Sequence, residues 1–373
     1  MVILHVSGVS NWGGGENHIE NLYYELEKSE LEVTQYVFCV KNGDFHKRLT
    51  KGNYNCIPAT LGLKIDPRFI FKLIRVCRSK KVDAIHIHDP TALTLSVIAD
   101  RISGNLPPFI FSKKTSFEIK NRKSTRFKYN YKKIEKYICV SKAVADVTAK
   151  AIENTDKIIT IYNGIRFSNK TTHTDFKLRE KFNIPANKII VGNIGNHIRA
   201  KNLLTFLNVI NDIVNVKKLD HFHFIQIGSF TKKTEVYTDK VKELNLEDHI
   251  TFTDFIDNAS NYIPQFDIFM LTSQSEGLPQ VINEAFYFKT PVISTNPGGI
   301  PEIIENGVNG FLSEVNDYQT LSDNLVILNS DKALQTRFIE KSYHQITNGF
   351  SSEIMARKTF DVYKAITQKP TTK

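Results

Sequence analysis

Short apolar segments alternate along the chain with longer segments in which apolar residues recur at helical spacing. The segments 1–7, 266–272 and 290–295 are nearly uninterrupted apolar runs, each bounded by polar or glycine-rich residues. Such runs are typical of strands buried on both faces, as in parallel sheets covered by helices. The alternation predicts an α/β protein.

The same pattern predicts elements over the whole chain. Further strands are predicted at 32–40, 82–90, 137–141, 158–162, 189–195 and 223–228. Helices are predicted up to residue 28, at 67–80, at 143–152, from residue 203, and after residue 311, the last at 352–367. The polar segment 169–174 predicts a linker. The chain then divides into domains 1–168 and 169–351.

Length and composition limit the class of protein. The 373 residues, 41% hydrophobic and 24% charged, can build two domains with ample cores. No apolar run approaches the about eighteen residues of a membrane-spanning helix. The first residues lack the basic region and cleavage site of a signal peptide. The four cysteines are scattered without a C-x-x-C pair, so we expect a reducing cytoplasm rather than disulfides or zinc.

The positive charge is concentrated in one segment. The net charge is +10, and the segment between Lys113 and Lys136 alone carries +8, with ten Lys or Arg and two Glu. Aromatic residues are interleaved with these charges: Phe117, Phe127, Tyr129 and Tyr131. The segment is either a solvated basic face or a surface for anionic lipid or a lipid-linked acceptor. We expect no nucleic acid as a partner, because no nucleic-acid-binding motif accompanies it.

The segment 275–285 carries the candidate chemistry. Glu276 and Glu284 stand eight positions apart, and Gly277 and Pro279 indicate a sharp loop into a helix, with Pro279 in its first turn. A helix N-terminus favours phosphate, and carboxylates accept hydrogen bonds from hydroxyls. The segment therefore suits a nucleotide sugar. A surface helix with two solvated glutamates is the simpler interpretation, which the flanking strands and glycine loop disfavour.

The stretch SQSEGLPQVINEA, followed by PVISTNPGGIPEIIENGVNGFL, resembles the C-terminal signature of the retaining family 4 glycosyltransferases, or glycosyl transferases group 1. The resemblance implies the GT-B fold, in which two Rossmann-like domains face each other across a cleft. It extends more loosely over the whole chain, and it implies that the helix 352–367 crosses back to complete the first domain. Lys289 is a departure, since a glycine is usual there.

The resemblance also implies roles within the segment 275–285. Glu276 and Glu284 match the family's E-x7-E pair, in which the first glutamate holds the sugar hydroxyls and the second holds the ribose. The intervening Gly277, Leu278 and Pro279 are expected to bind the nucleotide sugar as well.

Two segments of the first half resemble family elements. The run GGGE at 13–16 is similar to the GG-x-E loop, which lies against the donor pyrophosphate and the acceptor, and this implies contacts for Gly14 and Gly15. A simple strand-to-helix turn is the alternative. The run HIH at 86–88 resembles the H-x-H segment, whose second histidine contacts the donor sugar. His88 could donate there to a hydroxyl or a developing charge, or else be satisfied within its loop. We expect no metal, because no third ligand follows at a suitable spacing.

The second half contains the expected phosphate-binding cations. Family members carry an arginine and, five residues later, a lysine. Here Asn196 replaces the arginine and Lys201 matches the lysine. Arg199 is the candidate for the missing charge. Phe255 is either a core residue or an apolar contact for the nucleotide base.

Taken with the resemblance, these residues predict a retaining glycosyltransferase of cell-surface polysaccharide synthesis. It would move a sugar from a nucleoside-diphosphate sugar to a glycan or lipid-linked acceptor. A UDP-sugar is the favoured donor. Glu276, His88 and Lys201 are the expected catalytic residues, and neither metal nor cofactor is expected beyond the nucleotide sugar as co-substrate. We expect the protein in the cytoplasm, either free or peripheral at the inner face of the membrane. The alternatives are a GT-B sugar-nucleotide epimerase or hydrolase, and a non-catalytic nucleotide-sugar binding protein, which Asn196 makes conceivable.

Overall fold

The computed structural model describes residues 1–368. The described residues form two compact units, one made of Met1–Gly164 and 351–368 and the other of Ile165–Phe350. The division lies slightly before the predicted boundary between residues 168 and 169. The segment 169–174, predicted as a linker, therefore belongs to the second unit.

Thirteen strands and thirteen α-helices are found in residues 1–368. The strands are β1 (Val2–Val6), β2 (Thr34–Val40), β3 (Cys56–Ala59), β4 (Ala84–Ile87), β5 (Phe109–Lys113), β6 (Ile134–Cys139), β7 (Ile158–Thr160), β8 (Ile189–Ile194), β9 (Phe222–Ile227), β10 (Ile250–Phe252), β11 (Ile268–Leu271), β12 (Val292–Thr295) and β13 (Phe311–Ser313). The helices are α1 (Gly14–Lys28), α2 (Asp44–Lys51), α3 (Pro67–Ser79), α4 (Pro90–Ser103), α5 (Lys123–Tyr129), α6 (Lys142–Ala149), α7 (Leu178–Lys181), α8 (Leu203–Asn211), α9 (Thr234–Glu243), α10 (Gln280–Tyr287), α11 (Tyr318–Ser330), α12 (Lys332–Gly349) and α13 (Ser352–Thr367).

The first unit is built on one parallel sheet with the strand order β3-β2-β1-β4-β5-β6-β7. The order reverses between β1 and β4, and the carboxyl ends of strands at such a reversal form the usual ligand crevice of doubly wound folds. His5 of β1 lies in register with His86 of β4. Side chains alternate between the two faces of the sheet, so Leu4 joins one core cluster and Ile3 another.

Helix α13 belongs to the first unit although it is the last element of the chain. Its bounds confirm the helix predicted at 352–367. It packs along α1, where Ser352 Oγ donates to Glu25 Oε1 (2.6 Å), and it buries Tyr363 completely. Gly164 is held so close to Ser351 that a Cβ atom would collide with the Ser351 carbonyl. Glycine is therefore required where the chain leaves this unit.

The second unit is built on a parallel sheet with the order β10-β9-β8-β11-β12-β13. Its order reverses between β8 and β11, and its main core cluster contains Phe206, Phe224 and Phe338. The Phe266 ring occupies the space that a Cβ atom on Gly192 would need, so glycine in β8 lets the ring pack against the strand. Both units are thus α/β with parallel sheets, as the apolar pattern predicts.

The sequence pattern missed the shorter and more mixed elements. The sequence pattern did not predict the strands β3, β5, β10 and β13 or the helices α2, α4, α5, α7 and α9, because each is short or lacks a clear period in polarity. None of the helices in residues 1–368 combines the length and the apolar character needed to span a membrane.

Candidate active site

The loop that follows β11 places Glu276 beside a lysine. Glu276 Oε1 accepts hydrogen bonds from Lys201 Nζ (2.7 Å) and Ser273 Oγ (2.6 Å). The Lys201 stem packs on Gly195, where a Cβ atom would lie 3.0 Å from it. Only 19% of the lysine side chain and 13% of the glutamate side chain are exposed. Two of the three expected catalytic residues are therefore in direct contact.

Glu284 lies in the second turn of α10, as predicted, and it pairs with Lys170. The Lys170 Nζ atom lies 2.5 Å from Glu284 Oε1 and donates to Ser260 Oγ at 3.0 Å. Both charged side chains are about nine-tenths buried. Lys170 was not predicted as a site residue, because it lies in the polar segment 169–174 and its partner is 114 positions away in the chain. No local signal distinguishes it from a solvated lysine.

The backbone fixes the loop between the two glutamates. Gly277 O accepts a hydrogen bond from Gly299 N (3.1 Å), which joins this loop to the one after β12. Leu278 is buried. Pro279 caps α10 with φ −74° and ψ 114°, so the helix begins at Gln280 and the placement of Pro279 in the first helical turn is wrong. The proline ring fixes φ but leaves ψ free, and here ψ is extended.

Arg199, the expected replacement for the family arginine, forms no ion pair with Glu276 or Glu284. Asn196 Oδ1 accepts from Ser229 N (3.1 Å), so this side chain joins the loops after β8 and β9. Arg199 begins a 3₁₀ turn, Arg199–Lys201, and its side chain is exposed. Over residues 1–368 the guanidinium has no ion-pair partner. Lys170 supplies a further, buried cation beside Glu284, and the phosphate-binding role of Arg199 stays a prediction.

Phe255 is 56% exposed, so its interpretation as a core residue is wrong. It follows β10, and Phe230, which is 45% exposed, follows β9. The Asp254 carboxylate accepts the backbone N–H groups of Phe230 (2.9 Å) and Phe255 (2.7 Å), and these bonds lower the pKa of Asp254. One carboxylate thus fixes two loops that each present an exposed aromatic ring, of which the sequence indicated only one.

In the first unit the glycine loop leads directly into α1. Gly13 is the N-cap, and Gly14 and Gly15 are the first helical residues. A Cβ atom on Gly14 would meet no described atom within 4 Å, so the space beside it is open. Lys114 Nζ donates to Gly15 O at 2.8 Å. Burial lowers the pKa of Lys114 to about 8, opposed by the carboxylate of Glu16.

His88 follows β4 and belongs to a cluster of buried histidines. Its ring packs against that of His86, with centroids 4.0 Å apart, and its Nε2 atom lies 3.0 Å from His5 Nδ1. His86 contacts Tyr363 Oη (2.5 Å) and Ser112 Oγ (2.7 Å). Burial lowers the pKa of His5 to about 4 and holds the pKa values of His86 and His88 well below their usual range. The imidazoles are therefore neutral at pH 7.

The cluster supplies the third histidine that the sequence spacing did not show. Ring nitrogens of His5, His86 and His88 lie within 4.8 Å of one another and could hold a metal ion. Both nitrogens of His5 and both of His86 are already hydrogen-bonded, so a metal would have to displace some of these bonds. His5 was missed because it lies 83 positions from His88, on a different strand.

Two family models match this chain one after the other. The model described as Glycosyltransferase Family 4 matches residues 12–168, and the model described as Glycosyl transferases group 1 matches residues 174–345. Together they cover most of the chain, and each lies almost entirely within one compact unit.

Curated relatives and solved structures agree with these matches. The chain is 25% identical to a UDP-Gal:alpha-D-GlcNAc-diphosphoundecaprenol alpha-1,3-galactosyltransferase of Escherichia coli, over 80% of this chain and 79% of that protein. It is 23% identical to the capsular polysaccharide biosynthesis glycosyltransferase CapM of Staphylococcus aureus, over 54% and 52%. The Anabaena protein HepE in complex with UDP and glucose superposes with a TM-score of 0.85 and 18% identity, over 98% and 100% of the two chains. This last likeness shows the fold.

Proposed function

The chain belongs to the family 4 glycosyltransferases, with the GT-B fold, and we propose that it is a retaining enzyme that uses a UDP-sugar. The acceptor in this proposal is a glycan or a lipid-linked sugar of cell-surface polysaccharide synthesis. The observation that carries the proposal is the pair of buried glutamate–lysine contacts in the second unit, Glu276 with Lys201 and Glu284 with Lys170. The pairs bring acceptors for hydroxyls and cations for phosphates to one end of one sheet.

Donor binding follows from the acceptor capacity of the carboxylates. A carboxylate has about four lone-pair positions, so Glu284 can hold Lys170 through one oxygen and still accept from ribose hydroxyls. The exposed rings of Phe230 and Phe255 offer faces on which a base can stack. UDP is preferred as the nucleotide because the HepE neighbour is described in complex with UDP and glucose, and also with UDP-glucose.

The reaction needs negative charge to be stabilised as it develops on the departing diphosphate. The bond between the anomeric carbon and the phosphate oxygen breaks, and a new bond forms to the acceptor oxygen on the same face of the sugar. The proton of the acceptor hydroxyl passes to the departing diphosphate. Lys201 and the N-terminal end of α10 stabilise the diphosphate charge in this proposal. Glu276 holds sugar hydroxyls, and His88 contacts the sugar from the first unit. No side-chain nucleophile, metal or cofactor takes part.

The proposal includes a surface of the first unit that binds an anionic membrane, where a lipid-linked acceptor would be found. Of the ten basic residues between Lys113 and Lys136, five are exposed: Lys120, Arg122, Lys123, Arg126 and Lys132. Phe117 and Phe127 in the same segment are 57% and 51% exposed. Exposed cations with aromatic rings between them suit an anionic leaflet. Lys113 is buried and the other four basic residues are half-buried, so the fully exposed charge is about half of what the sequence indicates.

One incubation separates this proposal from its rivals. The chain is mixed with a radiolabelled UDP-sugar and a lipid-linked acceptor in excess EDTA. A transferase labels the acceptor, an epimerase releases a new nucleotide sugar, a hydrolase releases free sugar, and a binding protein yields no product. Labelled acceptor that requires added manganese or magnesium would contradict the metal-free mechanism. The anomeric configuration of the product, determined by NMR, tests retention.

A further inference from the structure

Three large apolar side chains lie exposed close together in the first unit. Leu63, Ile65 and Phe71 are 64%, 51% and 60% exposed, and we call them the apolar patch. Leu63 and Ile65 lie in the loop before α3, and Phe71 lies in the second turn of that helix. Single apolar residues on a surface are ordinary, whereas a group of them marks a surface that something else covers.

A buried carboxylate holds this loop in place. Asp66 is the N-cap of α3, and its side chain accepts hydrogen bonds from Gly62 N (2.8 Å), Arg68 Nε (3.0 Å) and Arg68 Nη2 (2.8 Å). Leu61, which is partly buried, packs against the core of the unit. The loop is therefore fixed at both ends, and the two apolar side chains between these ends are held at the surface.

Positive charge surrounds the apolar patch. The residues 61–81 carry a net charge of +6, from seven basic residues and the single acidic residue Asp66, which is buried. Every basic residue of this range is exposed: Lys64, Arg68, Lys72, Arg75, Arg78, Lys80 and Lys81. Positions 68, 71, 72 and 75 share one face of α3, because residues three and four apart are neighbours on a helix. Phe71 is thus enclosed by cations on the solvent face.

The loop before α3 lies near the basic segment 113–136. Lys128 Nζ of α5 donates to Pro90 O (3.0 Å) and Thr94 Oγ1 (3.0 Å) of α4, and α4 packs against α3. Burial lowers the pKa of Lys128, and the nearby charge of Lys64 acts in the same direction. The whole chain carries only +10, so everything outside these two basic ranges is net negative. The positive charge is therefore concentrated around the apolar patch and the segment beside it.

We propose that Leu63, Ile65 and Phe71 insert into the anionic leaflet of a membrane, while the basic residues around them bind its headgroups. An anionic leaflet matches both properties of this surface, because its apolar interior lies directly below a layer of negative charge. A second copy of the chain does not match, since it would present the same positive charge. The inference deepens the proposed function, in which the acceptor is lipid-linked, and rests on it for the presence of a membrane. Insertion adds a contribution to binding that salt does not screen.

Insertion is measured with a tryptophan in the apolar patch. Trp12 is the single tryptophan of the chain, so Leu63→Trp adds emission that the unchanged chain lacks. The vesicles contain equal amounts of phosphatidylglycerol and phosphatidylcholine with brominated acyl chains, which quench a ring that enters the hydrocarbon. We expect the added emission to be quenched. The matched control is Val236→Trp in the second unit, where Val236 is 55% exposed, and its emission should persist. Equal quenching in the two variants, or none in either, would overturn the proposal.

The contribution of the apolar patch to binding is measured by cosedimentation with the same lipids without bromine. The salt concentration is about 1 M, where the Debye length is about 3 Å and the attraction between exposed charges is screened. Changing all three residues of the patch to serine should weaken binding about 100-fold, because full burial of one such side chain is worth about tenfold or more.

The control for the serine variant changes three similarly exposed residues of the second unit to serine: Val216, Val236 and Ile327. This control should bind the vesicles like the unchanged chain. If the unchanged chain does not bind at this salt concentration, or if the serine variant of the apolar patch binds equally well, the patch does not insert.

A protein partner in place of the membrane would give a different result. If the apolar patch joined two copies of the chain, its serine variant would have a lower mass in sedimentation velocity with vesicle binding unchanged, and the proposal would fall. Sugar transfer is assayed separately, to a water-soluble acceptor without vesicles, and the serine variant should match the unchanged chain there. A chain that transfers no sugar refutes the proposed function, while the quenching experiment still decides insertion.

Discussion

The two units reverse their strand order in the same way, but they differ in the side chains that lie near the carboxyl ends of their strands. In the first unit the ends of β1 and β4 carry neutral, fully buried imidazoles, and burial lowers even the pKa of Lys114 to about 8. In the second unit the loops after β8 and β11 carry the buried pair of Lys201 and Glu276, and Glu284 of α10 pairs with Lys170, which precedes β8. The difference shows that the loops, rather than the shared topology, determine which ligand groups each sheet can hold.

The positive charge of the two units is arranged in opposite ways as well. In the first unit the buried histidines at the ends of β1 and β4 are neutral, while five lysines and arginines of the segment 113–136 are exposed to solvent. The second unit places Lys170 and Lys201 beside carboxylates. The first arrangement suits hydroxyls and an anionic surface, and the second suits phosphates.

The largest effect is expected from a variant that lacks most of the exposed charge of the segment 113–136. Changing Lys120, Arg122, Lys123 and Arg126 to glutamine should weaken binding to anionic vesicles by up to about three orders of magnitude at low salt, at about 1 kcal/mol per residue. Cosedimentation measures this effect, and UDP affinity should not change.

The control for this variant uses two lysines whose charge is engaged within the protein. Lys133 Nζ and Lys136 Nζ donate to the carbonyls of Leu106 (2.7 Å) and Asp156 (2.9 Å). A Lys133→Gln, Lys136→Gln variant should lose much less vesicle binding than the quadruple variant. If the quadruple variant sediments like the unchanged chain, the segment is only a solvated basic face.

Breaking one of the charged pairs should have the next largest effect. Glu284→Ala leaves Lys170 buried without its carboxylate and removes the acceptor for the ribose. The loss of one partner of a buried pair lowers the free energy of unfolding by about 3–5 kcal/mol. The loss of the acceptor for buried ribose hydroxyls costs about 1–3 kcal/mol of binding free energy, so UDP affinity should fall by up to about 100-fold in calorimetric titration. The control is Glu243→Ala, whose exposed pair with Lys240 contributes little. UDP affinity retained in Glu284→Ala would exclude Glu284 from the nucleotide site.

A substitution in the other pair, Glu276 with Lys201, should affect catalysis more than nucleotide binding. Glu276→Gln keeps the shape of the side chain but weakens hydrogen bonds from sugar hydroxyls and from Lys201. We expect kcat to fall about 10- to 100-fold, as for the loss of a charge-assisted hydrogen bond of about 1.5–3 kcal/mol, with UDP affinity nearly unchanged. A parallel loss of UDP affinity would place Glu276 at the nucleotide rather than at the sugar.

The smallest expected effect is the loss of stability that follows protonation of His5 in acid. The pKa of His5 is about 4 in the folded chain and 6.5 in the unfolded chain, so the unfolded state binds more protons between these values. The contribution of the neutral His5 ring to the free energy of unfolding is complete above pH 6.5 and is lost as pH falls. His5 alone should contribute a loss of about 1.4 kcal/mol by pH 5.5. Hydrogen exchange of β1 amides at pH 7.5 and 5.5, corrected for intrinsic rates, measures it, and His5→Asn should reduce the difference.

The sequence predicts best what is encoded within one segment. The loop and helix around Glu276 and Glu284 are local, and they appear nearly where the pattern places them. The helix boundary at Pro279 was wrong by a small step, because a proline fixes φ at a helix start but does not decide which residue begins the helix.

The sequence fails where the partner lies far away in the chain. Lys170 and His5 become site residues only through contacts with Glu284 and His88, and no local pattern connects such positions. Exposure is equally invisible. Lys113 and Lys120 contribute the same charge to a count, but the structure buries the first and exposes the second.

The packing of α13 on α1 imposes an order on biosynthesis. A ribosome makes residues 1–164 first, yet the core cluster that contains Leu22 and Leu26 is completed only by Met355, Tyr363 and Ile366. His86 likewise obtains its contact with the Tyr363 hydroxyl only then. The second unit is one continuous stretch, Ile165–Phe350, and can finish folding earlier. The half of the protein that is translated first is therefore the half that is completed last, and until then it exposes an apolar surface to chaperones.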